Sequence, residues 1–498
     1  MGDDVAHRAF TRQDRRIFRD KVQLCLDALA RMLADDQFEV SEPHIGMEVE
    51  FNLVDEAMHP AMANAQVLEA IADEAFQTEL GRFNIEINVP PHKLQGRHVF
   101  ELEDSLRASL NSANERAQRS GHQLAMVGIL PTLRAEHLTA QSISANPRYE
   151  LLNQQMLETR GEDIELHIGG TPLPGASAAE RLDTVFDTIL PEAACTSLQL
   201  HLQVAPDEFA AHWNAAQAIA GVQVALAANS PFLTGSALWH ETRLPLFQQA
   251  TDTRPQELVN QGVRPRVWFG ERWITSIFDL FEENSRYFTA LLPVCSEEDP
   301  MSVLDAGGDP NLTELRMHNG TVYRWNRPIY DTTDGGHHIR LENRVLPAGP
   351  TVVDTIADAL FFYGTVRSLV DADRPLWSQM SFDAARENLE SAARSGFTGR
   401  LYWPEVGWVS PQELVLRRLL PMAHAGLDSH GVDAAVQDKY LGVIEARCLA
   451  AQTGAIWQRQ AVADRERAGQ CRDDALSGML RDYLELMNAG APVHTWPH

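Results

Sequence analysis

The chain has 498 residues, 69 of them acidic and 42 basic, for a net charge of −27. Apolar residues make up 44% and charged residues 22%, a globular composition. An acidic chain without a basic cluster suits neither nucleic acid nor an anionic membrane, and no apolar run approaches the roughly 18–20 residues that cross a bilayer.

Residues 14–36 repeat apolar positions at helical spacing and predict an amphipathic helix lying on something larger. Extended alternating segments and helices then interleave to about residue 372, with helices expected at 98–120, 177–190, 208–228 and 350–370. The stretches TPLPGAS (171–177) and LPAGP (346–350) read as turns or helix entries. Past about 375 the pattern is mostly helical, with segments at 382–394, 411–425, 433–450 and 455–488, and the tail GAPVHTWPH reads as frayed. The chain thus divides into an N-terminal helix (1–40), a mixed α+β unit (41–375) and a helical C-terminal extension of the same domain (376–498).

Four segments alternate strictly. HIGMEVEFN (44–52) puts Ile45, Met47, Val49 and Phe51 on one face and Glu48 and Glu50 on the other. RFNIEINVP (82–90) does the same with Asn84, Glu86 and Asn88, SLQLHLQV (197–204) with Gln199, His201 and Gln203, and HIRLENRV (338–345) with Arg340, Glu342 and Arg344. A half-buried strand meets water with such a face. These faces, however, carry Glu, His, Asn, Gln and Arg rather than the Thr and Ser that exposed strands favour. Glutamates at i and i+2 also hold two carboxylates about 6–7 Å apart, which is repulsive unless a cation lies between them. Glu48, Glu50, Glu86, His201 and Glu342 form an oxygen-rich set with one imidazole, suited to Mg²⁺ or Mn²⁺. Arg340 and Arg344 share the face of Glu342 and suit phosphate oxygens. Together they read as the floor of a nucleotide triphosphate site.

Only three basic residues are lysines (Lys21, Lys93, Lys439), and no GxxxxGK[ST] occurs, so phosphate handling falls to arginine, metal and backbone. Five dispersed cysteines with no CxxC pair, and an N-terminus without a signal-peptide core, are expected of a reduced, cytoplasmic protein.

GMEVEF (46–51), FNIEINVPP (83–91), SLQLHL (197–202), ANSPFLTG (228–235), RMHNGTVYRWNRP (316–328), IRLENRVLPAGPTVVD (339–354) and TGAIWQ (453–458) stand in an order that resembles the glutamate–cysteine ligase family of the second type. That family includes the bacterial carboxylate–amine ligases, within the glutamine synthetase-like superfamily. The resemblance implies a glutamine synthetase-like catalytic domain over 41–375, with a curved, mostly antiparallel sheet and flanking helices. It implies ATP and Mg²⁺ (or Mn²⁺), with Glu48, Glu50 and Glu86 binding ions that bridge the ATP phosphates. His201 and Glu342 hold the ion nearer the transferring phosphate, and Arg344 faces the γ-phosphate, with Arg340 beside it. Where many relatives show a closely spaced histidine pair, this chain has Gln199, His201 and Gln203.

The implied activity is ATP-dependent ligation of a carboxylate, glutamate foremost, to an amine through an acyl phosphate. The same superfamily holds guanidino-phosphotransferases, which normally use a reactive cysteine, and a non-catalytic nucleotide- or metal-binding relative is the other alternative. The acceptor, the oligomeric state and the number of metals stay open.

In 314–331, Arg316, Asn319, Arg324 and Arg327 cluster among aromatics and read as substrate or phosphate recognition, or as a surface loop. Arg148 follows Asn146 and reads either as a substrate-carboxylate ligand or as a surface arginine behind a helix cap. Asn229 and Ser230 read as turn residues, His337 and His338 as loop residues, Cys195 as a small buried residue, and Trp403, Trp408 and Trp457 as core.

Overall fold

The structure, a computed structural model, describes residues 9–35, 38, 44–333 and 336–497. The four alternating segments all become strands of one seven-stranded sheet. His44–Asp55 runs through its middle, paired with Asn84–Lys93 on one side. On the other side Ser197–Gln203 takes its first half and His122–Ala125 its second. Gly336–Pro347 pairs with Ser197–Gln203, and the edges are Asn326–Thr333 and Phe76–Thr78. All these pairings are antiparallel, and the sheet curls into a half-barrel. Register shifts at Ile45/Met47 and Asn343/Leu346 add local bend, as bulges do.

The apolar face dictated by the alternation is covered by helices. Pro206–Ala227 and Val352–Val370 are buried almost all round and lie behind the sheet. Several of their polar groups are spent on strand groups. Gln217 bonds Asn326, Gln223 bonds Asn343, and the Tyr363 hydroxyl donates to the His201 carbonyl at 3.1 Å. Helix Arg12–Ala34, opened by a Thr11–Asp14 capping box, packs on the short helix Thr313–Asn319. Helices make up 52% of this mixed architecture, so most of the chain is support for one sheet face. Among the described residues no helix is long and apolar enough to cross a membrane.

Several expectations from the sequence are corrected. The helix expected at 177–190 is instead a strand, Arg181–Phe186, in a hairpin with Ile164–Gly169, followed by a 3₁₀ turn at Leu190–Ala194. Leu182, Val185, Phe186 and Ile189 fit a helical template, but a β-competent partner lay upstream and tertiary pairing overrode the period. The segment 455–488 is two helices, Gly454–Arg467 and Arg472–Ala489, parted at Gly469 with φ +92°. The frayed tail is anchored: Trp496 is 3% exposed against Trp457 and Tyr483, and Gln452 donates to the Val493 and Trp496 carbonyls. Trp403 and Trp457 are core, whereas Trp408 is 50% exposed on a small hairpin. Asn229 is no ordinary turn residue; fully buried, its amide donates to the Ala348 carbonyl and the Tyr483 hydroxyl, joining sheet and C-terminal helices.

Candidate active site

The polar face of the sheet floors a cleft of about 310 Å³. The register places its groups in rows: Arg327 opposite Glu342, Glu342 opposite His201, and Glu50 opposite Glu86. All five sequence-derived metal candidates line this cleft, together with Arg148, Arg316, Asn319, Arg327, Arg340 and Arg344. Arg324 does not. Its side chain is 1% exposed, pairs with Glu283 and Asn284 and stacks on Trp268, because its strand turns it away from the cleft. Asn319 reaches the wall but bonds Asn284 and the Pro328 carbonyl.

Two subsites can be separated. In the first, carboxylate oxygens of Glu50, Glu79 and Glu86 lie within 4.8 Å of one another. Glu50 also accepts from the Ser197 amide and hydroxyl and from Gln199, at 2.7, 2.9 and 2.8 Å, which fixes its orientation. Burial raises the affinity of this trio for protons: Glu86 is pushed up to about 7, with the Glu48 charge adding to burial, and Glu79 and Glu50 are raised as well. Three crowded carboxylates, two buried and one half-buried, offer hard oxygen donors that fit a divalent ion such as Mg²⁺ or Mn²⁺.

In the second subsite, burial pushes Glu48 up, but its 3.1 Å contact with His201 Nε2 outweighs that and leaves it lowered. Arg340 Nε donates to His201 Nδ1 at 3.2 Å, so the imidazole proton belongs on Nε2, toward Glu48. Arg340 is itself held by Asp331 at 3.0 Å, and Asp331 also takes Arg316 at 2.8 Å. Glu342 is 1% exposed and embraced by Arg327 through Nε at 3.0 Å and Nη2 at 2.8 Å, with Arg344 closing the other side. Burial raises it, yet the two guanidinium charges win and hold it far below the ordinary carboxylate range. Glu342 therefore orients arginines in this structure and is not part of the converging carboxylate trio. A one-residue bulge gives Arg344 its place, since Arg344 and Val345 together face Gln199, with Arg344 toward the cleft and Val345 in the core.

Glu79, Glu192 and Arg243 also line the cleft without having been singled out from the sequence. Glu79 follows the edge strand Phe76–Thr78 and Glu192 sits in a 3₁₀ turn, so neither belongs to an alternating run. The only signal for Glu79 was a glutamate seven residues before Glu86. His337 and His338 are strand residues, not loop: His337 packs on Phe38 and bonds Asp309, while His338 contacts Arg340. Asn146 caps helix Pro147–Arg160 by accepting from the Arg148 amide at 2.9 Å, leaving the Arg148 side chain on the cleft wall.

The glutamate–cysteine ligase family 2 model matches residues 44–479, from the first sheet strand into the last long helix. The chain belongs to that family. It is accordingly an enzyme, a carboxylate–amine ligase that forms C–N bonds. Among solved structures, this ligase is similar to the glutamate–cysteine ligase of Francisella tularensis in complex with AMP, at TM-score 0.54 and 12% identity, over 91% of this chain and 90% of that one. It is also similar to a bifunctional glutathione synthetase from Pasteurella multocida, at TM-score 0.50 and 13% identity, over 93% of this chain and 55% of the other. At such identities the likeness concerns the fold. Among curated proteins none matches the ligase significantly by sequence.

Proposed function

We propose that this ligase has a glutamine synthetase-like catalytic domain and uses ATP to activate a carboxylate, the γ-carboxylate of glutamate foremost, as an acyl phosphate that an amine then displaces. The observation that carries this is one sheet face holding a carboxylate trio beside an arginine cluster, in a family of carboxylate–amine ligases. The related Francisella ligase was solved in complex with AMP, which supports a nucleotide as a substrate here. A carboxylate oxygen attacks the γ-phosphorus and ADP leaves. The amine nitrogen then attacks the acyl carbon, phosphate departs with that oxygen, and the amine proton passes to solvent. Divalent ions, when bound, supply charge neutralisation of the phosphates.

Glu50, Glu79 and Glu86 would hold one ion and Glu48 a second, which His201 would join through Nε2 with its ring proton moved to Nδ1 in place of the Arg340 bond. Arg344, fixed by Glu342 and Gln199, and Arg340, fixed by Asp331, would meet charge on the transferred phosphoryl group. Arg148 and Arg316 offer forks for a substrate carboxylate. Asn319 and Arg324 are left out, because their groups are spent inside the protein. Cys195 lines the cleft, but burial pushes its thiol well above the ordinary range, which disfavours the phosphotransferase alternative.

Release of ADP in the presence of Mg²⁺, a panel of acids and a panel of amines, followed by mass spectrometry of the product, tests the proposal. An amide formed in step with ADP is expected. Phosphorylated guanidine, or ATP turnover with neither acid nor amine, would replace it.

Metal dependence follows from the trio. Glu86 binds protons more tightly in the folded state, so its contribution to stability is present at low pH and lost as pH rises through about 7. An ion needs these carboxylates ionised, so Mg²⁺ uptake strengthens over the same interval and releases protons. Millimolar Mg²⁺ should raise the melting temperature by several degrees at about pH 8 and little at about pH 5. An equal effect at both would sink the assignment of the trio.

A further inference from the structure

The 3₁₀ turn Leu190–Ala194 sets Glu192 on the cleft wall. The other cleft carboxylates are partnered: Glu48 by His201, Glu50 by Ser197 and Gln199, Glu79 by the Leu80 amide, Glu86 by Asn88, and Asp331 and Glu342 by arginines. Among the described residues the Glu192 carboxylate has no hydrogen bond or ion pair. It is also outside the trio whose oxygens converge. Burial, with the Glu50 charge adding to it and Arg344 opposing, pushes it up to about 7. Glu192 is half-buried, and a carboxylate partly withdrawn from water with no bonded cation is stabilised when one arrives from the cleft.

The surroundings restrict which cation fits. Helix Arg243–Ala250 packs against the turn that carries Glu192. From it Phe247 meets Tyr323 and Trp325 edge-on, with ring centroids 5.2 and 5.7 Å apart. All three rings line the cleft, and Tyr323 feels the Glu192 charge. A cleft that carries three rings and this carboxylate suits an ammonium with an apolar body, through burial and cation–π attraction, and suits a hydrated metal poorly. Arg344 is near enough for its charge to act on Glu192, and its amide bonds the Trp325 carbonyl, so this compartment adjoins the phosphoryl end of the site.

We propose that Glu192 anchors the ammonium of the amine acceptor, and that Phe247, Tyr323 and Trp325 hold its body, so the acceptor is a primary amine with an uncharged, apolar substituent; this rests on the ligase reading above. Two probes separate the possibilities. n-Butylamine is a primary ammonium with an apolar body. Hydroxylamine is uncharged at neutral pH, attacks acyl phosphates and needs no anchor.

Calorimetry on the full chain with Mg²⁺ and a non-hydrolysable ATP analogue should show uptake of n-butylamine. Glu192→Gln should weaken that uptake about tenfold, the loss expected of one charge-assisted hydrogen bond. Phe247→Leu should weaken it less, and it keeps the test alive if the first variant fails to fold. Trapping with L-glutamate, ATP and hydroxylamine should still yield hydroxamate in Glu192→Gln. No uptake by the unmodified protein, or unchanged affinity in both variants, overturns the proposal. So does a shifted half-saturating Mg²⁺ concentration in Glu192→Gln, which would make the residue a metal ligand. Failure of the unmodified protein to form hydroxamate with any acid of the panel retires the ligase reading instead, and the calorimetry still decides the ammonium site.

Discussion

Glu342→Gln is expected to lower turnover by at least about a hundredfold while leaving the fold intact, as read by ADP release and far-UV circular dichroism. The replacement is isosteric, but it removes the one charge that Arg327 grips bidentately and Arg344 closes over. Both guanidiniums would then face each other across a neutral amide in a buried setting, and Arg344 would be free to leave the position that its bulge and Gln199 give it. A misplacement of about 1 Å in a group that meets transition-state charge costs roughly a hundredfold. The loss should fall on kcat more than on the KM for ATP, since a charge that matters mainly in the transition state leaves ground-state binding largely unchanged. Glu48→Gln is expected to behave alike by releasing His201. Normal turnover in both variants would end the assignment of this face as the reacting one.

The sheet face was legible because a strand writes its two sides alternately in the sequence. Glu48, Glu50, Glu86, His201, Glu342 and Arg344 all reach one cleft, each from a segment whose apolar residues alternate with them. What the sequence could not convey was which groups neutralise one another. Glu342 looks like another ligand in a string of letters, and only the pairing of Asn326–Thr333 with Gly336–Pro347 reveals that Arg327 lies directly across from it. Glu79 and Glu192 were hidden for a different reason: turns and 3₁₀ segments have no period, so a side chain there is aimed by the backbone path alone. The misread helix at 177–190 belongs with them, since a pairing partner upstream decided it. Arg324 shows the converse, a residue whose composition-rich neighbourhood suggested recognition and whose side chain went inward.

Support for the site reaches far behind the sheet, which gives the largest expected stability effect. Arg447→Ala should destabilise the protein by about 3–5 kcal/mol, seen as a lower urea midpoint at unchanged slope. Arg447 is 1% exposed and bridges Asp354 at 2.9 Å and Asp358 at 2.5 Å, both on helix Val352–Val370 behind the sheet. Asp354 in turn accepts from the hydroxyl of the helix's N-cap, Thr351, and from the Val493 amide at 3.0 Å, so the triad ties the turn at Val493–Thr495 to the helix under His201. Removing the arginine strands two carboxylates where water cannot reach. Burial already pushes Asp358 up to about 6, with Arg447 pulling it down, so without that arginine it climbs further. A carboxyl raised in the folded state stabilises below its unfolded value and loses that contribution as pH rises through its folded one, so the deficit of Arg447→Ala should shrink toward about pH 5 and widen toward about pH 8. Adding Asp354→Asn and Asp358→Asn to Arg447→Met should recover much of the loss, because a buried ion triad replaced whole by neutral groups leaves no charge unpaired. A deficit that ignores both pH and the added substitutions would mean that the arginine acts through packing alone.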